Sequence, residues 1–144
     1  MPEGGSDVRA LVMDGSTALA FLMPDEQSPE ALRAIEALER GVPTSVPSHW
    51  ALEVANGMLM AERRRRISRA DATEALDVLG RLPIETDGET GRRAAGETAA
   101  LARQYGLTVY DAAYLELALR RGATLATTDA ALAKAARKAG VAVI

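Results

Sequence analysis

Residues 10–23 read ALVMDGSTALAFLM, and the way this run breaks decides the fold. Ala10 to Met13 is uniformly apolar, the signature of a strand covered on both faces rather than one facing water. Asp14 interrupts it. Ser16 to Met23 then has helical composition and is stopped by Pro24, which cannot continue a helix. A doubly covered strand passing directly into a helix is the opening unit of a parallel sheet packed between helices. The same grammar returns at residues 123–136, ATLATTDAALAKAA: a strand over Ala123 to Ala126, then Thr127, Thr128 and Asp129, then an Ala-rich helix that Gly140 ends.

The intervening chain keeps the alternation. Ser28, Pro29 and Glu30 open a helix that stops before Gly41, with Ser28 as its cap and Pro29 at the first helical position. Pro43 to Val46 is a short strand, followed by a helix capped by Ser48 that runs through Glu53 and Asn56 to the arginine run Arg63 to Arg66. Ser68 and Asp71 form a capping box for a helix closing near Arg81. Pro83 to Thr86 is a weak strand, Glu89 to Tyr105 a helix despite Gly91 and Gly96, and Gly106 its left-handed stop. Thr108 and Asp111 repeat the three-residue capping spacing at the head of a helix ended by Gly122. Val141 to Ile144 is expected as a last strand. The fold class is therefore α/β: one domain over residues 10–144, a parallel sheet of four to five short strands flanked by helices, with residues 1–9 outside the pattern as a flexible extension.

Composition limits the chemistry. The 144 residues are 48% hydrophobic and 26% charged but only 3% aromatic, so the core is built from aliphatic and small side chains, which favour close helix packing. With no Cys and a single His, His49, thiolate zinc, cysteine nucleophiles and multi-histidine metal motifs are excluded. Phosphate-binding glycine loops and nucleophile elbows are absent too. No apolar run reaches membrane-spanning length, and the apolar stretch around Asp14 lacks a cleavage site, so a cytoplasmic protein without membrane contact is expected. A net charge of −3 gives no bulk attraction for a polyanion, which must be met locally.

What remains is carboxylate chemistry. Asp14 and Asp129 directly follow strands, Asp111 heads a helix, and Glu53 lies in a helical stretch whose neighbours Trp50, Leu52, Val54 and Ala55 predict that it is largely buried. In open α/β sheets ligands collect beyond the carboxyl ends of the strands. Each acid also has a plainer role: Asp14 and Asp129 as helix caps, Asp111 as the partner of Thr108, Glu53 as the partner of an arginine. Asn56 follows Glu53 by three residues and shares its helical face, and Ser16 and Thr127 put hydroxyls near Asp14 and Asp129. His49 and Trp50 read as packing residues. Four consecutive arginines point around a helix, so at most one or two, Arg63 and Arg64, face a common phosphate ligand.

These residues resemble the PIN-domain ribonucleases, and among them the VapC-type toxins of bacterial toxin–antitoxin pairs. The likeness spans residues 10–144 and rests on LVMDGSTALAFLMPDE, VPSHWALEVANGML and LTVYDAAYLELALRRGATLATTDAALAKAAR together. The resemblance implies that Asp14, Glu53, Asp111 and Asp129 are the catalytic, metal-binding acids, supported by Ser16, Asn56 and Thr127. It implies a Mg²⁺-dependent endoribonuclease that also accepts Mn²⁺, acting on RNA as a homodimer and inhibited by a cognate antitoxin. Ala131 stands where some relatives carry a further acid, which weighs against a filled second metal position. Physically, two carboxylates about 5 Å apart repel by roughly 3 kcal/mol at an effective dielectric near 20. A hard divalent cation relieves that conflict, and an all-oxygen donor set favours Mg²⁺ or Mn²⁺ over zinc. Two other readings stand beside this one: a non-catalytic PIN-like interaction module, and a haloacid-dehalogenase-like phosphatase with Asp14 as nucleophile, whose pattern wants a second acid at the position of Ser16.

Overall fold

Leu11–Met13 (β1) is fully buried and pairs on both sides, with Thr44–Val46 (β2) and with Thr124–Ala126 (β4). These contacts and those below come from a computed structural model, which describes residues 8–26 and 28–144. Glu85–Thr86 (β3) joins β2, and the all-parallel order is β3-β2-β1-β4. From β1 the chain first builds outward through β2 and β3, then returns to place β4 on the other side. The carboxyl ends of β1 and β4 are therefore neighbours at the point where strand order reverses, the position at which such sheets leave a crevice.

Parallel pairing needs crossover helices, and small side chains let them pack close. Gly15–Leu22 (α1) and Pro29–Glu39 (α2) connect β1 to β2. Trp50–Arg63 (α3) and Arg69–Arg81 (α4) connect β2 to β3. Thr90–Arg93 (α5), a π-helical turn over Ala94–Thr98, Ala99–Tyr105 (α6) and Val109–Arg121 (α7) lead to β4, and Ala130–Lys138 (α8) follows. Alanine makes up most of the buried face of α2 (Ala31, Ala34, Ala37) and of α8 (Ala133, Ala135, Ala136). The main core joins β1 to Val46, Trp50, Val54, Tyr114, Leu115 and Leu132, and a smaller cluster of Met23, Met58, Ile67 and Ala72 sits between α1, α3 and α4. Ser28 caps α2, and the Ser68–Asp71 box closes in both directions, as their spacing requires.

Four local expectations are corrected. Val141–Ile144 forms no strand but one parallel bridge, Leu125 to Val143, so the sheet has four strands among the described residues. Ser48 does not cap α3: the cap position is His49, without a side-chain bond, while the Ser48 N–H donates to Thr90 Oγ1 at 3.0 Å. Leu52 is 75% exposed, because only Trp50, Val54, Met58 and Ala61 of α3 are buried. The stretch from Glu89 to Tyr105 is helical, yet it is divided by the π turn that contains Gly96. Residues 1–7 of the expected extension lie outside the described residues, whereas Val8 is buried in the main core.

Away from the crevice, one buried ion network ties α7 to the end of β3. Arg120 reaches both carboxylate oxygens of Asp87 (2.9 and 2.8 Å) and both of Glu116 (2.9 Å each). Asp87 is 3% exposed, and its N–H donates to Val46 O, so the network also anchors the sheet edge. The Arg120 guanidinium, helped by the Thr90 hydroxyl, holds the Asp87 carboxyl well below the usual carboxylate range. A depressed carboxyl pKa stabilises the fold above the unfolded value near 4 and loses that contribution as pH falls toward the folded value. Asp87→Asn should cost about 2 kcal/mol at pH 7, since Glu116 still faces Arg120. Its melting temperature should also fall less steeply than wild type between pH 5 and 2, as read by thermal denaturation followed by circular dichroism.

Candidate active site

Asp14 leaves β1 as the N-cap of α1, and its carboxylate faces inward at 4% exposure. Thr17 N–H donates to Oδ1 at 2.9 Å, Ser16 Oγ lies 2.8 and 2.9 Å from the two oxygens, and Thr127 Oγ1 donates to Oδ2 at 2.5 Å. The two hydroxyls also accept: Ser16 from Thr128 N–H and Thr127 from Asp129 N–H, both at 3.0 Å. Asp14 N–H donates to Ala126 O at 3.0 Å. The turn after β4 is thus held to the turn after β1 through one carboxylate. Burial pushes the Asp14 carboxyl above its ordinary value, against the opposing pull of these bonds. A carboxylate so enclosed by donors is poorly placed to attack phosphorus, which argues against the phosphatase reading.

Asp129 lies on the neighbouring strand end. It caps α8 through Oδ1, which accepts from Ala131 and Leu132 N–H at 2.9 and 3.1 Å, and it stays exposed. Asp111 enters from the first turn of α7. Its N–H donates to Thr108 Oγ1 at 3.1 Å, but the return bond of a capping box is not made. The Asp111 carboxylate lies within electrostatic reach of Asp129 and Glu53. Its pKa is raised, first by burial and then by the negative charges of Asp129 and Glu53.

Glu53 arrives from the first turn of α3, and among the described residues no arginine pairs with it. Its partner is Tyr114, whose hydroxyl donates to Oε1 at 2.7 Å. Burial, and next the bond to Glu53, push the Tyr114 phenol far above its usual range, so it remains the donor. The carboxylate lies directly against Gly15: a Cβ at that position would fall on Glu53 Oε1. Asn56, expected as the neighbour that orients Glu53, is exposed and its side chain makes no hydrogen bond among the described residues. Tyr114, three residues after Asp111, takes that role. The signal was present, since a buried tyrosine on an aliphatic helix face needs a partner for its hydroxyl. His49 packs edge-on between Tyr110 and Tyr114, with ring centroids 5.9 and 5.2 Å away.

The four acids thus gather at the switch point from the starts of α1, α3, α7 and α8. The expected spacing for a metal is not met as they stand: among the described residues no three acids or histidines are close enough to hold one ion. Asp14 is bonded to its hydroxyls, Asp129 to the start of α8 and Glu53 to Tyr114. Arg63 and Arg64 lie apart, ten or more residues beyond Glu53 and so about 15 Å along α3 at 1.5 Å per residue. Arg66 closes instead on Glu26 at 3.0 Å.

Comparison with known proteins adds an independent line. The profile of the PIN domain matches residues 11–138. Ribonuclease VapC3 of Pyrobaculum aerophilum is 32% identical over 124 residues, which cover 86% of this chain and 92% of that protein. In fold, the chain is similar to the crystal structure of PAE2754 from Pyrobaculum aerophilum, with a TM-score of 0.68 and 21% identity over 93% of this chain and 83% of that one.

Two outcomes follow from the crevice. An acid whose pKa is raised by burial loses stability as pH climbs from the unfolded value near 4 through the folded one. In chelator at pH 7, Asp14→Asn should therefore melt above wild type, and a calorimetric scan finding it lower would assign the carboxylate a stabilising role. Gly15→Ala should displace Glu53 and break its bond to Tyr114, visible as a changed near-ultraviolet tyrosine signal without loss of helix content.

Proposed function

The chain belongs to the PIN domain family, in its VapC-type branch, and from that premise we propose that it is a metal-dependent endoribonuclease acting as the toxin of a toxin–antitoxin pair. The observation that carries the reading is the gathering of four carboxylates at the β1–β4 switch point with no arginine or lysine paired to any of them among the described residues. Purely structural acids would be expected to recruit a cation from the chain, as Asp87 does.

The donor set fits a hard divalent cation. It is all carboxylate oxygen, one member is buried, and Asp111 is already raised by its acidic neighbours. Asp14, Glu53, Asp111 and Asp129 would hold Mg²⁺ or Mn²⁺. When bound, such a cation supplies water activation and charge neutralisation at the scissile phosphate. The chain's own residues do the positioning. Ser16, Thr17 and Thr127 hold Asp14 in one orientation, and Tyr114 directs Glu53 toward Gly15. Asp111 and Asp129 turn from the helix starts to complete the set. Asp111, whose carboxyl is raised by burial and by the charges of Asp129 and Glu53, is the member of the set best suited to take up a proton from the attacking water.

The homodimer and the antitoxin belong to the same proposal. Leu52 and Leu59, seven residues apart on one face of α3, offer exposed apolar surface for a protein contact. No helix among the described residues is long and apolar enough to cross a membrane, and a cytoplasmic setting suits an RNA substrate. The non-catalytic module retains one supporting observation, the absence of a ready three-acid cluster among the described residues.

The test is cleavage of a structured RNA panel by chain freed of any co-purifying partner, with Mg²⁺, with Mn²⁺ and with chelator. Wild type should cleave only with metal, and Asp14→Asn and Asp129→Asn should lose at least about 100-fold in rate while keeping wild-type circular dichroism. Equal cleavage in all arms would expose a contaminating nuclease. None in any arm would favour the interaction module.

A further inference from the structure

Beside the four acids, α2 and α8 line a concavity of about 310 Å³ that reaches beyond the residues assigned to the reaction. One wall is the turn Thr127–Asp129, so it opens directly from the proposed cleavage site. Arg33 of α2 and Arg137 of α8 also line it, as does the further acid Glu30. Both arginines are exposed, and their side chains make no ion pair or hydrogen bond among the described residues. This contrasts with Arg66, Arg93, Arg120 and Arg121, each closed on a carboxylate. We propose that Arg33 and Arg137 form a subsite for the backbone phosphate adjacent to the scissile one, gripping the RNA strand as it leaves Asp129. The inference rests on the ribonuclease reading and adds where the strand runs.

The chemistry is specific. A guanidinium presents a planar fork of donors that matches phosphate oxygens, and two of them lining one cavity can bind the same phosphodiester. Glu30 shares the cavity, so attraction here is not a matter of bulk positive charge. It depends on two forks reaching the same group. Thr128 helps define the rim: its N–H is held by Ser16, which fixes the turn between the acids and the arginines. The path differs from the one through Arg63 and Arg64, which lie at the opposite end of α3 from Glu53. Anchoring one phosphate away from the scissile bond explains how a chain with a net charge of −3 and few aromatic residues holds a polyanion.

The experiment measures binding of a labelled single-stranded RNA to the full chain in the Asp14→Asn background with Mg²⁺ present, across a range of salt. Removing one phosphate contact from a single strand should flatten the log–log salt dependence by about 0.7 and weaken binding about tenfold at low salt. Arg33→Ala/Arg137→Ala should do this, and in the otherwise wild-type chain should raise KM by a similar factor with kcat little changed. Arg69→Ala/Arg103→Ala removes the same charge from exposed arginines outside the cavity, and should leave both the slope and KM near wild type. Arg137→Lys should fall between, because the charge remains while the fork is lost. If the two double variants behave alike, or if the cavity pair leaves the slope unchanged while wild type still cleaves RNA, the subsite is overturned and the nuclease reading stands. Wild type that neither binds nor cleaves any RNA overturns both.

Discussion

A carboxylate buried to 4% exposure at the end of the central strand is the constraint from which the rest of the crevice follows. Burying Asp14 is costly unless its oxygens are satisfied, and here neutral donors do the work: two hydroxyls and one N–H. Those donors come from both sides of the switch point. Satisfying the charge therefore also caps α1 and fixes the turn that precedes Asp129. The positions of α1 and α8 are then consequences of where Asp14 must point. Asp111 and Glu53 enter a region whose shape is already set by that carboxylate.

Among the described residues two aspartates are deeply buried, and they are treated in opposite ways. Asp87 receives a bidentate arginine, its carboxyl falls below the usual range, and it serves the fold by joining α7 to the sheet edge. Asp14 receives no cation from the chain, its carboxyl rises, and further acids stand close by. The difference is one of stability against readiness. An arginine beside Asp14 would quench the local repulsion and with it the tendency to take up an external cation. The repulsion among Asp111, Glu53 and Asp129 is thus a retained cost, and costs retained beside a crevice are characteristic of binding sites.

Much of this was legible in the sequence because it is local. Apolar runs of three or four residues marked the strands, Ser28, Ser68 and Thr108 marked helix starts, and the acids after β1 and β4 marked the carboxyl edge. The departures share a cause. Val141–Ile144 has the composition of a strand but forms only one bridge, because pairing depends on the neighbouring strand's length and not on the segment itself. Ser48 has a capping residue's chemistry but is drawn to Thr90, 42 positions away. Tyr114 and Gly15 escaped notice as site residues for the same reason: each acts on Glu53 across a tertiary contact. Helix periodicity placed Asn56 on the Glu53 face but carries no information on what packs over it.

Small residues at helix contacts, at first only a statement about packing, govern the site as well. Where α1 crosses α3, Gly57 accepts the Leu19 side chain at a distance that a Cβ would close to 2.7 Å, and Gly15 accepts Glu53 in the same way one turn earlier on α3. Two glycines at one crossing bring the helix backbones together more closely than larger residues allow. Glu53 is thereby delivered beside Asp14 by helix packing, without a loop to carry it. A site built on packed helices is positioned more firmly than one on loops, since each acid inherits the rigidity of its element. It also follows that substitutions which enlarge the α1–α3 contact act on stability and on the carboxylate geometry together, because the same two small residues set both.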